Sequence, residues 1–295
     1  MGKVMVTKPI PQELHRYFKF YRGYEMLEKG ELFFSKVSAY NDIYELVPAT
    51  DFIEAAAVTP ERALQVLNEM RETEDGRRLL AIFENSLPSS ELALSTATAS
   101  ILSPTLAVPI IGLVLSGIYT IYKKAKKNEQ EKIEAYIINY GPIITQVRTC
   151  CFTSRPDNIL MWSHYAEWNA GMVISFNTNV KYWVGENFKP VIYSDSRVQL
   201  PDESANTHDY LWKLLTTKAK CWEYEDEWRM IKFNMGDSRT FGVNPFAVSA
   251  IRLGIKVSQE SRDKVLVLRD KKYPQTPVFV ERRSCEKFAL EFDEI

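Results

Sequence analysis

Trp222-Glu223-Tyr224-Glu225-Asp226-Glu227-Trp228-Arg229-Met230-Ile231-Lys232-Phe233 is the stretch on which the reading of this chain turns. Its second half, Trp228 to Phe233, alternates in the way a half-buried strand does. Its first half sets four carboxylates within Glu223–Glu227, between aromatic side chains. If the whole stretch is extended, Glu223, Glu225 and Glu227 point to one face and Asp226 to the other. Three like charges on one face repel unless solvent, a cation or a substrate hydroxyl answers them. The same pattern also fits a solvated strand start with tryptophans packed beneath it, and the residues alone leave both readings open.

Outward from this stretch the chain stays rich in strands. Upstream, Ile143–Val147, Thr149–Phe152, Gly171–Phe176 and Pro190–Tyr193 read as strands, and Leu160–Ala166 and Asp209–Thr217 as helices. Downstream come a strand at Ala250–Gly254, a helix at Ser258–Leu268 and a last strand at Pro277–Val280. Near the start, Tyr17-Phe18-Lys19-Phe20-Tyr21-Arg22 reads as a strand with interleaved basic residues. Tyr24–Lys29 makes one or two helical turns that stop at Gly30, and Glu31–Ser35 is a second strand. Tyr40-Asn41-Asp42 is loop chemistry. The expected fold is α+β: one mixed, curved and split β-sheet core formed by residues 1–49 and 142–295, carrying a helical insertion at 50–141.

The insertion has its own character. Thr59-Pro60-Glu61 places an N-cap, a proline at the first helical position and an acidic first turn in order. Ala63, Leu64, Val66, Leu67 and Met70 follow at mostly helical spacing, and Leu79–Phe83 suggests a second short helix. From Leu92 to Tyr122 there is no charge, and Lys123-Lys124-Ala125-Lys126-Lys127 follows directly. The apolar end of that run, from Leu106, is at the lower limit for crossing a bilayer. A buried hairpin in a helical insert, broken at Pro104 and Pro109, is the reading that the alanine, serine and threonine content before Leu106 favours. Membrane or partner-protein contact through 92–122 is the alternative. A charged helix at about 123–138 leads to Gly141-Pro142.

Composition narrows the classes of function. Hydrophobic residues make up 45% and charged residues 25%, as in a globular protein rather than a disordered or polytopic membrane chain. Lys plus Arg is 37 against 38 Asp plus Glu, so no global basic field recruits nucleic acid. Cys150, Cys151, Cys221 and Cys285 lack zinc-ligand spacing, and the chain is expected to be cytoplasmic and reduced, with no metal. No P-loop, dinucleotide fingerprint, zincin or nucleophile-elbow motif occurs.

Two further clusters are candidates for chemistry. Met161-Trp162-Ser163-His164-Tyr165 offers His164 as a general base, against a purely structural role beside aromatics. Ser163 and His164 are helix neighbours and do not face each other, so they make no nucleophile pair. Lys19, Tyr21 and Arg22 could grip a phosphate and stack on a base, or form an ordinary basic strand face.

Taken in order, Phe18–Arg22, Gly30–Ser35, Tyr40–Glu45, Cys151-Phe152-Thr153, Met161–Ala166, Lys218, Trp222–Arg229 and Ile251–Gly254 resemble the bacterial domain-of-unknown-function family numbered twenty-nine seventy-one. The resemblance covers about 17–46 and 146–280, and Ile43 departs from the proline usual there. That family name carries no activity. The strand–helix–glycine–strand opening and the late Glu225-x-Glu227 strand are also similar, at fold level, to ADP-ribosyltransferases of the DNA-modifying toxin type. This likeness implies NAD as substrate, an unknown acceptor (protein or nucleic acid) and a toxin or phage-defence role. It implies that Glu227 binds the nicotinamide-ribose 2′-hydroxyl and Glu225 orients or deprotonates the acceptor. Tyr165 or Trp162 would stack on nicotinamide, with His164 beside them, and Lys19, Tyr21 and Arg22 would hold the adenosine and phosphate side. Many members carry a histidine on the first strand; the strand read at Tyr17–Arg22 has none, and Arg22 stands in its place.

Overall fold

The computed structural model describes residues 8–36, 42, 60–86, 136, 140, 143–144, 146–180, 188–200, 206–233 and 239–295. The chain opens with β1 (Glu13–Phe18), α1 (Phe20–Lys29), β2 (Glu31–Phe33) and β3 (Ser35–Lys36). Then come α2 (Pro60–Glu72), α3 (Glu74–Ser86), β4 (Arg148–Thr153), α4 (Ile159–Tyr165) and β5 (Met172–Asn177). The third part runs β6 (Phe188–Pro190), β7 (Ile192–Ser194), α5 (Thr207–Thr216), β8 (Thr217–Ala219), a 3₁₀ turn (Lys220–Glu225) and β9 (Glu227–Lys232). It closes with β10 (Thr240–Gly242), β11 (Val248–Leu253), α6 (Gln259–Lys272), β12 (Val278–Arg283) and β13 (Leu290–Glu294).

The fold is α+β, built on a nine-stranded sheet of order β13-β12-β11-β5-β1-β4-β9-β6, with β3 also on β4. Its pairs are antiparallel except β11 with β12, so the sheet is mixed. Alternation divides it into two faces. On one face Leu14, Phe18, Phe152, Ile174, Phe176, Trp228, Met230 and Ile251 form the main core with Met26 and Leu27 of α1 and Val265 and Leu268 of α6. The opposite face carries Glu13, His15, Tyr17, Thr153, Ser175, Glu227, Arg229 and Arg252.

The first strand differs from the sequence expectation. It ends at Phe18, and Lys19 is the N-cap residue of α1. The helix wins because Gly23, Met26 and Leu27 share one buried stripe, while Glu25 bridges Arg22 and Lys29 at helical spacing. Gly30 ends it as expected, with φ of 69° and its N–H on the Met26 carbonyl. Ile143 and Ile144 are helical rather than extended, and pack beside Leu211 and Leu215 of α5. The last strand is β13, not the one at Pro277–Val280.

Helices α2 and α3 stand where the spacing placed them. The run 92–122, the charged helix at 123–138 apart from Tyr136, and the 40–45 loop apart from Asp42 lie outside the described residues. Among the described residues no helix is long and apolar enough to cross a membrane. Tyr136 and Tyr140 pack on Tyr210 of α5, the Tyr140 and Tyr210 rings being 4.7 Å apart.

Candidate functional site

The acidic stretch is not extended as a whole. Lys220–Glu225 winds into the 3₁₀ turn, Asp226 takes a left-handed conformation (φ 40°, ψ 54°), and only Glu227 begins a strand. Glu223 is exposed, and Asp226 faces Lys8 at 2.7 Å and Ser154. The reading of three glutamates on one face is thereby corrected: the turn isolates Glu223 and brings Glu225 and Glu227 together.

These two carboxylates share one ammonium. Lys218, on β8, donates to Glu225 Oε2 at 2.6 Å and to Glu227 Oε2 at 3.2 Å. Arg229 grips Glu227 through Nε (2.8 Å) and Nη2 (3.0 Å), and its Nη1 donates to the Leu215 carbonyl at the end of α5 (2.7 Å). Tyr165, the last residue of α4, donates its hydroxyl to Glu225 Oε1 at 2.6 Å. The Tyr193 hydroxyl accepts the Glu227 backbone N–H at 2.8 Å. Lys218, Glu225, Glu227 and Arg229 are 5%, 3%, 6% and 1% exposed. Two positive and two negative charges thus lie out of water with formal charges that cancel.

Burial by itself would raise the Glu227 carboxyl. The Arg229 guanidinium beside it, reinforced by Lys218 and the Cys151 thiol, overturns that and holds it at about 2. The same burial, with the Glu227 charge adjacent, pushes the Cys151 thiol well up. Burial also pushes the Tyr193 phenol up, which keeps it a neutral hydrogen-bonding group.

Aromatic side chains cover one side of the cluster. Trp222 lies over Lys218, 4.9 Å from Nζ to the ring centroid, and Tyr224 sits 6.1 Å from Trp222. The Tyr224 hydroxyl meets His164 Nδ1 at 3.3 Å. Asn158 fixes this rim: its side-chain oxygen caps α4 at Leu160 and Met161, and its amide donates to the Tyr224 carbonyl.

Of the residues singled out in the sequence, Glu225, Glu227, Tyr165 and His164 come together. Trp162 does not join them as a stacking surface. It is fully buried, donates Nε1–H to the Pro156 carbonyl and packs edge-on against Tyr17. Nor do the strand cations. Glu227 and His15 share Thr153 as register partner, so β4 separates β1 from β9. Phe18, the end of β1, already lies about 10 Å along the strand from that level. Lys19, Tyr21 and Arg22 lie beyond it at the N-cap and in the first turn of α1, all exposed, with Arg22 on Glu25 and over the Tyr21 ring.

The sequence reading missed Lys218, Arg229, Tyr193 and His15 as site residues. Glu227-x-Arg229 on a strand is a period-two signal for one face, and could have found the ion pair. His15 lies outside the strand that the sequence marks from Tyr17, because β1 starts four residues earlier, at Glu13. In the structure it stands on β1, in the row Ala250–Ser175–His15–Thr153–Glu227 that crosses five strands. His15 Nδ1 lies 2.8 Å from the Ser175 hydroxyl, which also accepts from Arg252. Burial, then the Arg252 charge, lowers this histidine to about 3, so it is neutral at physiological pH. Among the described residues no group of His, Cys, Asp and Glu is arranged to hold a metal ion. No protein-family model, curated protein or solved structure matches the chain.

Proposed function

We propose that the protein is an NAD⁺-consuming ADP-ribosyltransferase or NAD⁺ glycohydrolase, with the Glu225–Glu227 pair at its centre. The observation that carries this reading is the shared Lys218 ammonium, which keeps two buried carboxylates side by side beneath an aromatic rim. Cleaving the nicotinamide N-glycosidic bond sends the electron pair to nicotinamide and leaves an oxocarbenium-like ribose. A preorganised carboxylate in a dry site stabilises that charge, and water or an acceptor nucleophile then bonds to the same carbon and loses its proton. Glu227, gripped by Arg229 and Lys218, is the fixed charge. Glu225, reached through Tyr165, meets the ribose or the acceptor. Tyr165 and Tyr224 offer the stacking faces that Trp162 does not. His15 supplies the first-strand histidine that the resemblance calls for, so Arg22 is not needed in that place.

A non-catalytic ligand-binding module is the second reading, favoured by the distance of Lys19, Tyr21 and Arg22 from the acid pair. One assay separates the two: nicotinamide release from NAD⁺, with candidate proteins and nucleic acids as acceptors. Wild type should release nicotinamide and Glu225→Gln should fall by about 10²–10³-fold, as for loss of one preorganised transition-state contact. Equal release by folded wild type, Glu225→Gln and Glu227→Gln would leave only the binding module.

A further inference from the structure

Glu167, Trp168 and Asn169, which follow α4, all have positive φ (53°, 52° and 67°), and none is glycine. L-residues enter this region singly, because Cβ crowds the following carbonyl. Three in succession persist only where the surroundings over-determine them. Here they do. The Glu167 carboxylate accepts the Phe20 N–H at 3.3 Å, and the Asn169 carbonyl accepts the Lys256 N–H at 2.9 Å. The Asn169 amide donates to Glu281 at 2.6 Å. Gly254 lets the backbones close, since a Cβ there would lie 2.2 Å from the Asn169 carbonyl oxygen. The outcome of this bracing is an indole in water: Trp168 is 72% exposed.

Beside the turn lies a groove of about 710 Å³ lined by Ile159, Asn169, Lys256, Arg283, Lys287 and Phe288, among others. Phe288, between β12 and β13, is fully exposed, and Ile159 and Leu160 stand out from the first turn of α4. Lys256, Arg283 and Lys287 share the groove surface with one exposed carboxylate, Glu286. The other lining carboxylate, Glu281, is buried and turned inward to Asn169 and the Ile255 N–H.

We infer that this face docks on an anionic phospholipid surface, with Trp168 and Phe288 entering the headgroup region and Lys256, Arg283 and Lys287 meeting the phosphates. Indole rings prefer the membrane–water interface, and basic side chains near it are drawn to acidic lipid. The exposed aliphatic pair Ile159–Leu160 points the same way, because single-stranded nucleic acid would use rings and cations but gain little from them. The inference is independent of the catalytic reading and of the 92–122 run.

The test is sedimentation of the full chain with phosphatidylcholine vesicles, with and without phosphatidylglycerol. Wild type should sediment with the acidic vesicles, and less so as salt rises. Trp168→Ser/Phe288→Ser and, separately, Lys256→Glu/Lys287→Glu should each weaken binding by about tenfold or more, with unchanged melting because all four side chains are exposed. Wild type that stays in solution overturns the proposal, as does a Trp168→Ser/Phe288→Ser chain that sediments equally well. Substitutions that abolish binding to a single-stranded oligonucleotide and spare the vesicles overturn it too.

Discussion

The row that crosses the polar face passes through two buried clusters that solve one problem in opposite ways. At β9, Glu227 is buried yet charged, because the Arg229 fork and Lys218 replace its lost water. At β1, His15 is equally buried, has a serine hydroxyl as its close partner, and is driven neutral. Burial sets the penalty for both, and the partner decides whether the charge survives it. Of the two, the β9 cluster is the one that keeps ionised groups paired out of water.

The largest effect should come from breaking that arrangement. Arg229→Met leaves Glu227 buried without its fork and should destabilise the fold by about 3–5 kcal/mol in urea denaturation. Glu227→Gln in the same chain should restore much of the loss; if it restores none, the fork is not what keeps the glutamate charged. Tyr165→Phe removes one hydrogen bond to a buried carboxylate, worth about 1.5–3 kcal/mol, and should lower both nicotinamide release and, by several degrees, the melting temperature. An unchanged rate would detach Tyr165 from the chemistry.

The two clusters should also separate by pH. The folded His15 value lies below its unfolded 6.5, so the unfolded chain binds the extra proton. Its contribution to stability is complete above 6.5 and lost as pH falls toward about 3. Glu227 loses its contribution in a lower window, from its ordinary 4.5 down to about 2. His15→Asn should therefore flatten the melting temperature between pH 6.5 and 4.5 and leave the steeper fall below it, which a melting series would read. The smallest effect is expected at the exposed α1 start. Lys19→Ala and Arg22→Ala should change stability by no more than about 0.5 kcal/mol and leave nicotinamide release intact. A large loss of release in either would return these cations to the site.

The contrast between legible and hidden elements follows the range of the forces involved. Gly30 as a helix stop and Pro60 as a helix start are local signals, and the structure keeps both; the alternation of Trp228–Phe233 marks a strand, but Glu227–Ile231 is buried on both faces rather than on one. Tyr17–Arg22 went astray because aromatic residues with interleaved charges satisfy a strand and a helix alike over six positions. The choice was made by Met26 and Leu27, which need the core under β1. In the acidic stretch, composition showed that something must answer the glutamates but not what.

By itself, then, the sequence determined the α+β class and most element positions, and it singled out Glu225, Glu227, Tyr165 and His164 as candidates. The elements rest on periodicity, caps and turn chemistry, which act within a few residues. Tertiary structure alone decided that Lys218 and Arg229 neutralise the pair, that Trp162 is core, that His15 shares a row with Glu227, and that Lys19–Arg22 open a helix instead of continuing β1. Strand order and register place those groups, and both are settled by burying one whole face of the sheet, a condition that no short stretch of residues can express.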